Sequence, residues 1–170
     1  MNIVLIGMPS SGKTTVGKPL ASRLSMGFID TDAVIREKEN RELSAIVNKD
    51  GLQHFLHIQE AALMEIHNDK YVISTGGSAV YSDKAMKHLK KNSIIVYLKV
   101  KYEDIENRIT GKRRFARNSE QTLLDLYNER TPLYEKYKDL AIDCTEKTAE
   151  EITEEIAVFY EKTVLGGQHI

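Results

Sequence analysis

The chain has 170 residues, of which 41% are apolar and 29% are charged, and its formal net charge is −1. This size and composition are typical of a single globular domain with a proper core. The near-neutral charge excludes a strong long-range field for nucleic acid or an anionic membrane, so any bound anion must be held by local groups.

The expected cellular location rests on three features that the sequence lacks: a second cysteine, a membrane span and a secretory signal. Cys144 is the single cysteine, so no internal disulfide can form, and its apolar surroundings predict a small core residue rather than a reactive thiol. No stretch approaches the roughly 20 apolar residues of a membrane span, and no basic segment precedes the first apolar run. We therefore expect a cytoplasmic protein without nucleic-acid or membrane partners. We expect a monomer, although the sequence leaves oligomers open.

Apolar runs of strand length alternate with helical patterns along the whole chain. Strands are predicted at 2–6, 28–30, 71–75, 94–100 and 140–143. Helices are predicted at 11–24, 33–39, 44–49, 52–66, 82–91, 102–109 and 123–137, and a last helix follows a capping box formed by Thr148 and Glu151. Such alternation implies an α/β fold, with a five-stranded parallel sheet flanked by helices. In these sheets ligands bind beyond the carboxyl ends of the strands.

A phosphate-binding loop follows the first predicted strand and opens the first predicted helix. Residues 7–14 read Gly-Met-Pro-Ser-Ser-Gly-Lys-Thr and match the G-x-x-x-x-G-K-[ST] pattern in full. The glycines let backbone N–H groups point at phosphate oxygens, and the helix N-terminus adds its positive end. The pattern predicts binding of ATP with Mg²⁺ by Gly7, Ser10, Ser11, Gly12, Lys13, Thr14 and Thr15. Lys13 is expected to reach the β and γ phosphates, and the Thr14 hydroxyl to coordinate the metal.

Two carboxylates, Asp30 and Asp32, follow the second predicted strand. At this spacing one can serve a metal-bound water while the other orients a substrate hydroxyl and accepts its proton. The alternative is that Asp32 simply caps the helix that follows. Spacing alone does not decide between the two interpretations.

Further ligand-binding candidates lie near the ends of the third strand and of a late helix. Gly76 and Gly77 either permit close approach of a ligand to the backbone or form a tight turn. Arg130, late in its helix, is suited to carboxylate recognition because its planar fork gives bidentate hydrogen bonds.

The least regular stretch, 110–121, is rich in basic and polar residues. It is either a lid that supplies charge to a transferring phosphoryl group and excludes water, or a solvated basic loop. The basic side chains in and beside it are Arg108, Lys112, Arg113, Arg114 and Arg117.

These elements, taken in order, resemble the shikimate kinase family. The likeness spans Met1 to about Phe159, and it depends on the phosphate loop, the Asp30–Asp32 triplet, the glycine segment 75–79 and the Arg130-x-Pro-Leu-Tyr134 motif. The resemblance implies a single domain over 1–170 of the P-loop nucleoside monophosphate kinase type. It also implies a lid at about 110–121 and a substrate-binding helical region at about 32–66.

The resemblance further implies roles for individual residues. Lys13, Asp32 and Arg114 would be catalytic, Asp30 would join Thr14 in holding Mg²⁺, and Arg108 would lie against adenine. The substrate would be bound by Asp32, Gly76, Gly77 and Arg130, with Asp32 on its hydroxyls and Arg130 on its carboxylate.

Three departures from the family pattern accompany this likeness. The family usually has an arginine directly after the phenylalanine of its substrate helix, as a second clamp on the shikimate carboxylate, whereas here Leu56 follows Phe55. Losing a charge-assisted hydrogen bond costs roughly 1.5–3 kcal/mol, unless His54 or His57 compensates. The lid usually reads Arg-Pro-Leu-Leu, but 114–117 read Arg-Phe-Ala-Arg, which leaves the lid arginine open among residues 113, 114 and 117. Third, the glycine segment here reads Gly-Gly-Ser over 76–78.

We therefore predict an ATP:alcohol phosphotransferase that acts on a small hydroxylated metabolite. Conversion of shikimate to shikimate 3-phosphate, a step of aromatic amino acid biosynthesis, is the first expectation. The main alternative, raised by Leu56, is a kinase of another hydroxylated metabolite such as a hydroxy amino acid or a sugar acid. A nucleoside monophosphate kinase and an ATP-binding module without turnover are further alternatives.

Overall fold

The computed structural model describes residues 1–109 and 120–166. Five strands alternate with helices: β1 (Asn2–Ile6), β2 (Gly27–Asp30), β3 (Tyr71–Ser74), β4 (Ser93–Lys99) and β5 (Leu140–Asp143). The α-helices are α1 (Lys13–Arg23), α2 (Thr31–Glu39), α3 (Leu43–Asp50), α4 (Leu52–Met64), α5 (Asp83–Lys90), α6 (Tyr102–Arg108), α7 (Leu123–Tyr137) and α8 (Ala149–Gly166). A 3₁₀ turn at Ala79–Tyr81, which the sequence analysis did not predict, follows β3. Most of the expected lid, 110–119, lies outside the described residues.

The strands form one sheet in the order β2-β3-β1-β4-β5, and every neighbouring pair is parallel. The predicted five-stranded parallel sheet flanked by helices is thus confirmed. Strand β1 lies at the centre, and all five of its residues are buried. Because helices cover both faces of such a sheet, residues 3–6 of its central strand are all apolar rather than alternating with polar residues.

The register of the sheet brings the strand ends that carry the candidate site to one edge. Leu5 of β1 pairs with Ser74 of β3, and Ser74 pairs in turn with Asp30 of β2. Since these strands are parallel, the loops that follow β1, β2 and β3 leave the sheet side by side. This edge is where a sheet of this kind binds ligands.

The buried apolar residues form two clusters. The larger one contains the central strands and the helices packed on the sheet. The smaller one joins α2, α3 and α4 through Ile35, Ile46, Phe55 and Ala62, with Leu56 partly buried against it. Because fully burying a large apolar side chain contributes about 1.5–3 kcal/mol, this cluster stabilises the helical region predicted to bind substrate.

Helix α8 begins at the capping box expected from the sequence. Thr148 N–H donates to Oε2 of Glu151 at 2.8 Å, and Glu151 N–H donates to Oγ1 of Thr148 at 3.2 Å. Arg23 of α1 pairs with Glu154 and Glu161 of α8, both at 3.0 Å, which ties the two helices together. Within the described part of the chain, none of the helices is both long and apolar enough to cross a bilayer.

Candidate active site

The loop between β1 and α1 wraps tightly because two of its residues are glycine. Gly12 caps α1 in the left-handed region with φ 94°, and Gly7 has φ 145°. A Cβ on Gly7 would lie 2.8 Å from the carbonyl oxygen of Leu98, closer than packing allows. A side chain at Gly7 would therefore clash, and one at Gly12 would strain the backbone, so both positions require glycine as a tight phosphate-binding loop does.

Lys13 lies inside this cradle. Its side chain is buried, and Nζ donates to the carbonyl oxygens of Gly7 at 2.8 Å and Met8 at 2.7 Å. Nζ also donates to Oγ of Ser11 at 3.2 Å. The loop thus holds a positive charge at its centre before any anion enters it.

Thr14, Asp30 and Ser74 bring three oxygens together at the sheet edge. Oγ1 of Thr14 donates to Oδ2 of Asp30 at 3.0 Å and lies 3.4 Å from Oγ of Ser74. Hard oxygen donors suit Mg²⁺, which is usually held by one or two carboxylates together with substrate phosphates. Among residues 1–109 and 120–166, no cluster of three or more His, Cys, Asp or Glu side chains is placed to hold a metal by itself. The oxygen set therefore fits a metal that arrives with the nucleotide.

Asp30, not Asp32, caps helix α2. Oδ1 of Asp30 accepts from the backbone N–H groups of Asp32 at 3.1 Å and Ala33 at 3.2 Å. The alternative that Asp32 serves as the helix cap is therefore wrong, because α2 begins at Thr31, two residues earlier than that interpretation requires. The Asp32 side chain lines the main cavity instead.

A cavity of about 560 Å³ unites most of the predicted site residues. It is lined by the phosphate loop, by both carboxylates, by the glycine pair and by Arg130. Arg108 does not line it; its exposed guanidinium approaches the loop from outside, with Nη1 3.4 Å from the carbonyl oxygen of Ser10. Arg114 lies outside the described residues.

Gly76 and Gly77 are packed too tightly for any side chain. A Cβ on Gly76 would lie 2.6 Å from Nε2 of Gln59 and nearer still to Oδ1 of Asp32. A Cβ on Gly77 would lie 2.7 Å from Cδ of Pro9 in the phosphate loop. The pair therefore brings the backbone after β3 against Asp32 on one side and against the phosphate loop on the other.

One turn of α7 contributes Arg130 to the cavity and places Tyr134 against Gly77. Arg130 is only 1% exposed although it lines the cavity, and its Nε donates to Oη of Tyr81 at 3.0 Å. Oη of Tyr134 donates to the carbonyl oxygen of Gly77 at 2.6 Å. Burial raises the pKa of Tyr134, so the phenol remains a neutral donor.

Several polar side chains that support the site were not predicted from the sequence: Ser74, Ser78, Tyr81 and Gln59. Gln59 is 2% exposed, and its Oε1 accepts from Oγ of Ser78 at 2.8 Å. A signal for it was present in the sequence. Gln59 lies four residues after Phe55 on the buried face of α4, where a polar side chain requires a partner.

The departure at Leu56 has a defined place in the structure. Leu56 does not line the main cavity; with His57 it lines a neighbouring cavity of about 270 Å³. His54 lines neither of the two cavities. Neither histidine is therefore placed to bind a carboxylate in the main cavity.

The parallel sheet, the cradle after its central strand and the carboxylate beside it define a P-loop phosphotransferase. A model of the shikimate kinase family matches residues 9–161. The chain belongs to the shikimate kinase family.

Two curated relatives illustrate the similarity in sequence. The chain is 40% identical over 166 residues to a shikimate kinase of Thermodesulfovibrio yellowstonii, covering 95% of each chain. It is 36% identical over 165 residues to one of Thermoanaerobacter pseudethanolicus, covering 94% of this chain and 95% of the relative.

Solved structures agree with this assignment. Shikimate kinase from Acinetobacter baumannii in complex with shikimate has a TM-score of 0.85 at 29% identity, covering 99% of this chain and 95% of that one. Shikimate kinase from Aquifex aeolicus has a TM-score of 0.84 at 28% identity, covering 98% and 99%. A gluconokinase from Sinorhizobium meliloti, at 19% identity and a TM-score of 0.58, shares the fold alone.

Proposed function

We propose that this protein transfers the γ-phosphoryl group of ATP to a hydroxyl of shikimate, giving shikimate 3-phosphate. The observation that carries the proposal is that Asp32 and Arg130 line the same cavity as Lys13. A group suited to a hydroxyl, a group suited to a carboxylate and a phosphate-binding cation thus face one volume. Shikimate carries the hydroxyls and the carboxylate that such a cavity would bind.

The nucleotide half of the reaction is assigned to the loop and to the sheet edge. Backbone N–H groups of 7–14 and the Lys13 ammonium would neutralise the phosphates, with Lys13 exchanging its carbonyl partners for phosphate oxygens. Thr14, Asp30 and Ser74 would hold Mg²⁺ directly or through water, and the bound metal supplies charge neutralisation at the β and γ phosphates.

The substrate half is assigned to Asp32, Arg130 and the glycine pair. Asp32 would orient the attacking hydroxyl and accept its proton as the new P–O bond forms. Arg130 would bind the carboxylate and fix the ring so that this hydroxyl faces the γ phosphate. The Gly76 N–H already donates to Oγ1 of Thr31 at 3.2 Å, so we assign the Gly77 N–H to the substrate.

The remaining assignments follow from family membership and from position. Arg108 would flank the nucleotide, since it approaches the loop at Ser10. Arg114 would be the lid arginine that meets the transferring phosphoryl group. We also propose a monomeric cytoplasmic enzyme of aromatic amino acid biosynthesis. The kinases of other metabolites and the module without turnover are not favoured by a family membership that spans residues 9–161.

The test is ATP-to-ADP conversion with Mg²⁺, with and without millimolar shikimate, and identification of the product by ³¹P NMR. We expect strong shikimate-dependent turnover and a phosphomonoester on the substrate. Lys13→Ala should lose most of this turnover, which controls for a contaminating kinase. No response to shikimate would reject the proposed substrate, and the same assay with hydroxy amino acids, sugar acids and nucleoside monophosphates would then reveal the true acceptor.

A further inference from the structure

The family usually has an arginine that binds the substrate carboxylate at position 56 of α4, and this chain has Leu56 there. Leu56 turns toward the neighbouring cavity and packs on the cluster of α2–α4. The main cavity nevertheless has a second arginine in its lining besides Arg130, namely Arg36 of α2.

Arg36 lies four residues after Asp32, one helical turn along the same face of α2. Because of that spacing, both side chains can line the same cavity from one face of the helix. Leu43, Val47 and Phe55 of α3 and α4 line the cavity as well. Arg36 itself is exposed to solvent, so a ligand that enters the cavity can reach its guanidinium.

Two neighbouring cations of this region, Lys38 and Arg41, are paired, whereas Arg36 is not. Lys38 pairs with Glu65, and Arg41 pairs with Asp50. Among the described residues, Arg36 makes no side-chain hydrogen bond or ion pair, and Glu42, which lines the same cavity, does not pair with it. An arginine that lines a cavity and is not engaged by the described residues is suited to an anionic ligand group.

We propose that Arg36 is the second carboxylate-binding residue of this enzyme. It takes the role of the arginine that the family usually has at the position of Leu56. The substrate carboxylate is then held between Arg130 of α7 and Arg36 of α2, while Asp32 holds the hydroxyls. This inference rests on the proposed function, and it makes Arg36 a determinant of specificity for acidic substrates.

The experiment compares Arg36→Ala with Lys38→Ala, a matched removal of a cation from the same helix outside the cavity. Arg36→Ala should raise the KM for shikimate by about 10- to 150-fold, the loss expected for one charge-assisted hydrogen bond, and leave the KM for ATP unchanged. Lys38→Ala should change neither constant. Arg36→Gln, which keeps most of the aliphatic stem, should behave like Arg36→Ala because the charge is what matters.

A further measurement separates carboxylate binding from a structural effect. The methyl ester of shikimate lacks the anionic charge, so its KM should be the same in Arg36→Ala as in the wild type.

An unchanged KM for shikimate in Arg36→Ala, or an equal rise for the acid and its ester, overturns the assignment of Arg36 while leaving the proposed function standing. Absence of shikimate turnover in the wild-type protein overturns both, and so distinguishes the two failures.

Discussion

Arg130 and Tyr81 are joined by a hydrogen bond and a cation–π contact at the wall of the active-site cavity. Nε of Arg130 donates to Oη of Tyr81 at 3.0 Å, and the guanidinium lies 5.0 Å from the centroid of the Tyr81 ring. The hydrogen bond fixes the plane of the fork, and the cation–π contact offsets part of the cost of burying its charge. Tyr81 is therefore a positioning residue for the arginine that we assign to the substrate carboxylate.

Tyr81→Phe should weaken shikimate binding selectively. The change keeps the ring under Arg130 and removes one hydrogen bond to a charged group, worth about 1.5–3 kcal/mol. We expect a rise of about 10- to 150-fold in the KM for shikimate, with the KM for ATP unchanged, in steady-state assays. Tyr102→Phe removes an exposed phenol that donates to Glu106 away from the cavity and serves as the control. A change of equal size in both variants would argue against a role for Tyr81 in positioning Arg130.

Asp32→Asn should abolish phosphoryl transfer while preserving ATP binding. Asparagine keeps the shape of the side chain but cannot accept the substrate proton, and general-base catalysis contributes about 10²- to 10⁴-fold. We expect a loss of that size in kcat and an unchanged Kd for ATP by calorimetry. Asp69→Asn alters an exposed carboxylate outside the cavity and should retain full turnover. Full activity of Asp32→Asn with shikimate would remove Asp32 from its assigned role.

Gly76→Ala should damage the site by displacing its neighbours. The new Cβ would lie 2.6 Å from Nε2 of Gln59 and closer still to Oδ1 of Asp32, so both side chains must shift. Overpacking of this kind costs about 1–3 kcal/mol, and we expect a corresponding fall in the free energy of unfolding measured with urea. The value of kcat/KM should fall about 10²-fold or more, because small misplacements of catalytic groups are costly. Gly166→Ala, where a Cβ meets nothing within 4 Å, is the matched control; wild-type activity of Gly76→Ala would mean that Asp32 tolerates movement.

The features that the sequence predicted well are those encoded by neighbouring residues. The phosphate loop is one contiguous motif, and residues 3–6 of β1 form a continuous apolar run because the strand is buried on both faces. The parallel sheet could be inferred from the alternation of strands and helices. The strand order could not, because it depends on which crossover passes over which strand, and no local pattern encodes that choice.

The parts of the site that escaped prediction depend on how helices are rotated in three dimensions. Whether Asp30 or Asp32 caps α2 is decided by a two-residue difference in where the helix begins. Only the placement of α4 and α2 around the cavity shows that Gln59 and Arg36 lie at the site. The sequence did indicate that position 56 had changed, but it could not indicate which other side chain faces the same volume.

Cys144 should be unreactive in the folded protein. The side chain is 5% exposed at the end of β5, and burial raises the pKa of its thiol to about 11. Because the thiolate is the reactive form, a pKa about three units above pH 8 leaves only about one thiolate in a thousand. We expect negligible labelling by a disulfide reagent at pH 8 over minutes, and one thiol per chain after unfolding in guanidinium chloride. Labelling of the native protein should accelerate as the pH rises toward 11, and rapid labelling at pH 8 would show that this end of β5 opens readily to solvent.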